Sequence, residues 1–192
     1  MFLLTLYSLV LLLVPLASAA QRGLIYIPDS PAEDASVWTQ PSALAWYYNY
    51  MSTPSPQLST SSLEFVPMMW GIASPSSPSD ASFFQSLAAS PPQYALAFNE
   101  PEMPNSVGGS SISPANAAVA WVANFVPLRR MGVKVGLPAT SGADEGTHWL
   151  MSFLDECKTL LGGQECEFDF VPVHWYDDVV SLGNYLNARS AL

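Results

Sequence analysis

Apolar residues in this chain fall into short unbroken runs bounded by turn residues. Six runs read as strands: Gly23–Ile27, Ala45–Asn49, Glu64–Trp70, Tyr94–Phe98, Val133–Leu137 and Asp169–Trp175. Runs this short, apolar on both faces, suit parallel strands covered by helices on each side. Between them the apolar spacing becomes helical. Ser79-Asp80 is positioned to cap a helix carrying Phe83, Phe84, Leu87 and Ala88. Ser113 followed by Pro114 predicts an N-cap with proline at the first helical position, and Ala117, Trp121 and Phe125 then fall on one inward stripe. Pro127 is expected to kink this helix or end its regular part. Thr147 is expected to open the next helix, through Trp149, Leu150, Phe153 and Leu154, with Gly162-Gly163 as its stop. A last helix-like run covers Val179–Ala188.

Strands alternating with helices predict an α/β protein with a parallel sheet, either doubly wound or a (β/α)₈ barrel. A barrel carries its chemistry at the C-terminal ends of its strands. Those ends are polar or aromatic here: Tyr47-Tyr48-Asn49, Trp70, Asn99-Glu100 and His174-Trp175-Tyr176. That favours the TIM-barrel family. A barrel takes about 31 residues per βα unit, so the chain has length for about six units. The expected fold is an incomplete barrel, which leaves sheet edges open.

The first apolar stretch belongs to neither pattern. Phe2–Leu16 is almost wholly Leu, Val and Phe, and the small residues Ala17-Ser18-Ala19 follow. At about 15 residues it is short of the ~20 that span a bilayer. Residues 1–19 therefore read as a secretory signal peptide and 20–192 as one domain, secreted and free of the membrane after cleavage. The chain holds 6 Lys+Arg against 16 Asp+Glu, with 49% hydrophobic and 11% charged residues. So few basic groups in an acidic field argue against nucleic acid as a partner, and the apolar content argues against disorder. Cys157 and Cys166 suggest one disulfide in a secreted chain. A metal site is the weaker reading, because the spacing is not C-x-x-C and only His148 and His174 could add imidazole ligands. Neither G-x-G-x-x-G nor G-x-x-x-x-G-K-[ST] occurs, and no cofactor is expected.

Asn99-Glu100-Pro101, directly after a strand-like run, is the sharpest chemical signal. A carboxyl group at a strand end can protonate a glycosidic oxygen, and an amide beside it can bond a sugar hydroxyl. Three letters alone can equally be a turn. The strand-end aromatics strengthen the signal, since flat rings stack on sugar faces while their polar tips bind hydroxyls. Tyr48, Asn49, Trp70, His174, Trp175 and Tyr176 are the candidate substrate-binding residues. Trp121, Trp149, Phe125 and Phe153 read as core.

Taken together these segments resemble glycoside hydrolase family 128, cell-wall β-1,3-glucanases of clan A. The resemblance rests on Arg22-Gly23-Leu24, Trp46-Tyr47-Tyr48-Asn49, Glu64 through Gly71, Phe98-Asn99-Glu100-Pro101, Ser113-Pro114-Ala115, Pro127-Leu128-Arg129, Gly132-Val133-Lys134, the Cys157/Cys166 pair and Asp169-Phe170 through His174-Trp175-Tyr176. It implies a (β/α)₈ barrel, β-1,3-glucan as substrate and partner, and retaining double displacement with Glu100 as acid/base and Asn99 assisting. The family's nucleophile is a Glu at the end of a seventh strand, in a W-x-T-E-F-like segment, and no T-E-F occurs here. A truncated, inactive catalytic domain is therefore expected, with Asp177 and Asp178 as the only late acids near the rim. They read more simply as helix-start acids. The competing function is a non-catalytic β-glucan-binding wall protein.

Overall fold

A computed structural model describes residues 22–27, 32–39 and 43–189. The signal peptide expected over 1–19 lies outside the described residues. Strands β1 (Arg22–Ile25), β2 (Leu44–Tyr48) and β3 (Glu64–Phe65) form one parallel sheet in that order. Strands β4 (Tyr94–Ala95) and β5 (Lys134–Val135) form a second parallel pair. A single parallel bridge, Met68 to Leu96, links the run after β3 to the run after β4. Pro67 explains why the ladder is so thin there: its carbonyl accepts from Leu96 N at 2.9 Å, but it has no N–H to return.

The α/β class and the parallel order therefore stand, and the extent of the strands needs correcting. The runs at Glu64–Trp70, Tyr94–Phe98 and Val133–Leu137 each keep only two strand residues. Asp169–Trp175 forms no strand. It makes one bridge, Gly136 to Phe170, with Asp169 N on Val135 O at 2.9 Å and Leu137 N on Phe170 O at 3.0 Å. Pro172 then ends the pairing for want of a donor. Among the described residues the sheet is two short pieces joined by single bridges, not a continuous wall.

Helices α1 (Ala32–Trp38), α2 (Ser82–Ala88), α3 (Pro114–Arg130), α4 (Asp144–Leu160) and α5 (Val179–Arg189) fill the crossovers. The predicted cap of α3 is present, with Ser113 Oγ accepting from Asn116 N at 3.3 Å. Pro127 does not end α3, which continues to Arg130 with Leu128 fully buried in its last turn. α4 starts at Asp144 rather than Thr147, and Asp144 and Glu145 put negative charge at the positive end of the helix dipole. Asp80 caps α2 from two residues upstream, accepting from Ser82 N at 2.9 Å. The buried Asn124 completes that cap: its Oδ1 accepts from Phe84 N at 2.9 Å and its Nδ2 donates to Asp80 O at 2.8 Å.

The main core lies where α2, α3 and α4 meet β4 and β5. Trp121 and Phe125 stack at 4.6 Å, Phe98 meets Phe125 edge-on at 5.9 Å, and Trp149 stacks on Phe153 at 5.6 Å. A smaller cluster of Tyr26, Ala35, Tyr47 and Leu58 covers β1 and β2. Within this core, Cys157 and Cys166 form the expected disulfide, tying α4 to the segment that returns toward β5. That segment is fixed by charge as well. Asp169 accepts from Arg129 Nε at 2.9 Å, Lys134 Nζ at 3.2 Å and Val135 N at 3.0 Å. The Arg129 guanidinium holds the Asp169 carboxyl down to a pKa of about 2.

Candidate active site

Asn99 and Glu100 are gripped by the runs on both sides. Asn99 N donates to Trp70 O at 3.0 Å, and Glu100 N donates to Ala139 O at 2.7 Å. Phe98, one residue earlier, is fully buried, so the chain leaves the core at a fixed point. Glu100 then turns with a φ of 39°, in the left-handed region that side chains seldom occupy. Its carbonyl accepts from Met103 N at 2.9 Å, and the loop returns so that Ser110 N reaches Asn99 O at 2.9 Å. Gly109 makes that return possible. A Cβ there would stand 2.3 Å from Met103 O and 2.6 Å from Glu100 O.

The Glu100 side chain meets His174, with Oε1 at 2.7 Å from Nδ1, and both side chains are largely covered. If the carboxylate is ionised, Nδ1–H donates to it; if it is protonated, its O–H donates to Nδ1. The protonation of Glu100 is thereby tied to the tautomer of His174. Three tyrosines complete the cluster. The Tyr176 phenol is raised by partial desolvation of an otherwise exposed residue, and further by the nearby Glu100 and Tyr50. Burial also raises Tyr48, and the neighbouring Tyr50 raises it further. The Tyr48 and Tyr50 rings meet edge-on at 5.1 Å, and those of His174 and Tyr176 at 6.4 Å.

The other expected binding residues divide. Trp70 is half-buried and lines a groove of about 510 Å³ together with Tyr50 and Met69. Tyr176 is 87% exposed, with its ring free to meet a ligand. Trp175 leans on Tyr185 at 5.2 Å and donates from Nε1 to Asp178 O at 2.9 Å, which joins it to the start of α5. Asn49 is turned inward and is 2% exposed. Its Nδ2 donates to Thr53 O and Ser55 Oγ, and its Oδ1 accepts from Met51 N. Tyr47 is core, its hydroxyl accepting from Ser55 N at 3.2 Å. Asn99 donates from Nδ2 to Gly108 O at 3.0 Å and so braces the loop after Glu100.

The remaining acids nearby are already engaged. Asp178 accepts from Val180 N, Ser181 N and Ser181 Oγ, as a helix-start acid does, and Asp177 accepts from Asp178 N. Glu102 accepts from Ser141 N at 2.6 Å. Among the described residues no three His, Cys, Asp or Glu side chains are placed to share a metal ion. Sequence reasoning missed Tyr50. The two-residue period of β2 put it on the same side as Tyr48, but its backbone turn is not written in the pattern.

Comparison with known proteins identifies the family. The family model described as glycosyl hydrolase catalytic core matches residues 23–191. Alkali-sensitive linkage protein 1 of Schizosaccharomyces pombe is 32% identical over 173 residues, which cover 88% of this chain and 29% of that protein. Two solved structures of glycoside hydrolase family 128 are similar. One, a subgroup II endo-β-1,3-glucanase from Pseudomonas viridiflava, has a TM-score of 0.69 at 24% identity, covering 89% of this chain and 66% of that one. The other, a subgroup III curdlan-specific exo-β-1,3-glucanase from Blastomyces gilchristii in complex with glucose, has a TM-score of 0.68 at 27% identity, covering 89% and 68%. The chain thus spans under a third of the yeast protein and about two-thirds of each enzyme.

Proposed function

The chain belongs to the glycosyl hydrolase catalytic core family, with glycoside hydrolase family 128 as its kin, and from that premise we propose that it acts on β-1,3-glucan of cell walls through Glu100. The observation that carries this reading is the Glu100–His174 pair at 2.7 Å, set among Tyr48, Tyr50 and Tyr176 at the end of the β4 run. In it Glu100 is the acid/base. It protonates the departing glycosidic oxygen as the bond to the sugar carbon breaks, and later takes a proton from the attacking water. His174 keeps the carboxyl aimed and accommodates either protonation state by its tautomer. Asn99 assists by bracing the loop through Gly108, and Tyr48, Trp70, Trp175 and Tyr176 contribute the sugar-binding faces. Asn49 contributes by shaping the turn that carries Tyr50.

The barrel architecture belongs to the same proposal. Parallel runs linked in chain order from β1 to Phe170, with Glu100 and His174 at their C-terminal ends, support it. Secretion is part of the same proposal, supported by the apolar run Phe2–Leu16 and the Cys157–Cys166 disulfide. No cofactor takes part.

Retaining double displacement needs a second carboxylate about 5–5.5 Å from the first. Asp177 and Asp178 accept from backbone donors, and Glu102 accepts from Ser141 N through Oε1 while its Oε2 is buried without a hydrogen-bond partner. On this reading the second carboxylate is not assigned among the described residues. That is also what favours the second reading, a glucan-binding wall protein.

The experiment is release of reducing ends from laminarin by the protein and its Glu100→Gln variant, beside binding of the same glucan. Cleavage lost in Glu100→Gln with binding kept supports the enzyme. Binding without cleavage in both supports the wall protein. Full cleavage by Glu100→Gln overturns the role of Glu100.

A further inference from the structure

A cleft opens at the other end of the parallel runs from Glu100. Glu64, Tyr94 and Lys134 are the first residues of β3, β4 and β5. With Trp46, Asp169 and Phe170 they line a cavity of about 410 Å³, a usual size for a small-ligand cleft. The run from Tyr94 to Glu100 spans about 20 Å when extended, so this cleft and the Glu100 cluster are separate places.

Three aromatic rings wall the cavity. Tyr94 and Phe170 meet edge-on, with 6.2 Å between centroids and 72° between planes, so they stand nearly at a right angle. Trp46 supplies the third wall. Its indole lies over Gly23, where a Cβ would stand 2.3 Å from the ring, so only glycine leaves room for it. Tyr94 stays 37% exposed, an aromatic face that the core does not use.

The charges at the rim do not cancel. Lys134 Nζ turns to Asp169 at 3.2 Å, and Asp169 also holds Arg129. The Glu64 carboxylate makes no hydrogen bond or ion pair among the described residues. Glu64 is the register partner of Trp46, one strand spacing of about 4.8 Å away. Ring faces attract a cation through their quadrupoles, and an unpaired carboxylate beside them neutralises its charge. The net charge of -10 also concentrates cations near the protein. We propose that Trp46, Tyr94, Phe170 and Glu64 form a binding site for a small organic cation carrying a quaternary or alkylated ammonium group. The site is distinct from the one at Glu100 and does not depend on what that one binds.

The test is NMR titration with choline and with its uncharged carbon isostere, in which a tert-butyl group replaces trimethylammonium. Choline binds about tenfold more tightly than the isostere, as a desolvated cation–π contact allows. Glu64→Gln, at an exposed position, weakens choline about fivefold and leaves the isostere nearly unchanged. Tyr94→Leu removes most of the preference for the charged ligand. Glu100→Gln leaves choline binding as in wild type. Equal binding of choline and isostere, no binding of choline, or unchanged binding by Glu64→Gln overturns the proposal. Choline binding lost in Glu100→Gln also overturns it, since the cation then sits among the tyrosines at the other end.

Discussion

Glu100 and His174 lie 74 positions apart in the chain and share a hydrogen bond of 2.7 Å. The contact joins the loop after β4 to the segment that follows the Phe170 bridge, so it reports on the tertiary assembly and on the chemistry together. Each partner is largely shielded from solvent, which makes the bond stronger than a surface pair and its loss more costly.

The pair should therefore couple in stability. In a double-mutant cycle of Glu100→Gln and His174→Ala, the coupling free energy is expected to be about 1 kcal/mol, within the usual range for residues in contact. Urea unfolding of the four proteins at pH 7 measures it. Additive effects would show that the side chains are apart in solution.

Asp169 gives a pH dependence of known sign. Its folded pKa of about 2 lies below the ordinary value of 3.8, so its stabilisation is present above pH 4 and is lost as pH falls toward 2. Asp169→Asn is expected to cost about 2 kcal/mol at pH 7, since a tenfold change in proton affinity on folding is worth about 1.4 kcal/mol. The gap between wild type and variant should close near pH 2. Unfolding curves from pH 2 to pH 7 decide it, and a pH-independent gap would assign the effect to packing instead.

Two glycines should respond in opposite directions to alanine. Gly109→Ala places a methyl group against the carbonyls of Met103 and Glu100, so the loop behind Glu100 must move. A lower Tm and weaker glucan binding are expected. Gly183, inside α5 with open space around it, is expected to gain up to about 1 kcal/mol as alanine. Equal shifts in Tm would contradict the loop geometry.

The Cys157–Cys166 bridge closes a loop with a sequence separation of 9. Alkylation without reductant should add no mass to the protein. Reduction should lower its stability by about 2–3 kcal/mol, as expected for so short a loop. Mass spectrometry and unfolding with and without reductant check the two parts.

The alternation of apolar runs is enough to read the α/β class, because strand and helix periods are local properties. Ser113-Pro114 announces its own cap, and Asn99-Glu100 announces a carboxylate at the end of a buried run. Strand length is not legible in the same way. Pro67 and Pro172 look tolerable in an apolar run, yet each removes a donor that the ladder needs. Pro127 misleads the other way, because burial of Leu128 carries α3 past it.

The candidate site is legible as a set of residue types and not as an arrangement. Tyr48, Trp70, His174 and Tyr176 stand out as strand-end aromatics. Nothing local says that Asn49 turns inward, that Tyr50 takes a φ of 61°, or that Asp178 caps α5. Composition and period, which depend on neighbours in sequence, settled the class of fold and the chemistry worth looking for. The pairing of Glu100 with His174, and the choice of which polar groups face a ligand, needed the packed structure. Those choices follow from hydrogen bonds closed between distant segments, and a buried polar group takes whatever partner the fold brings within reach.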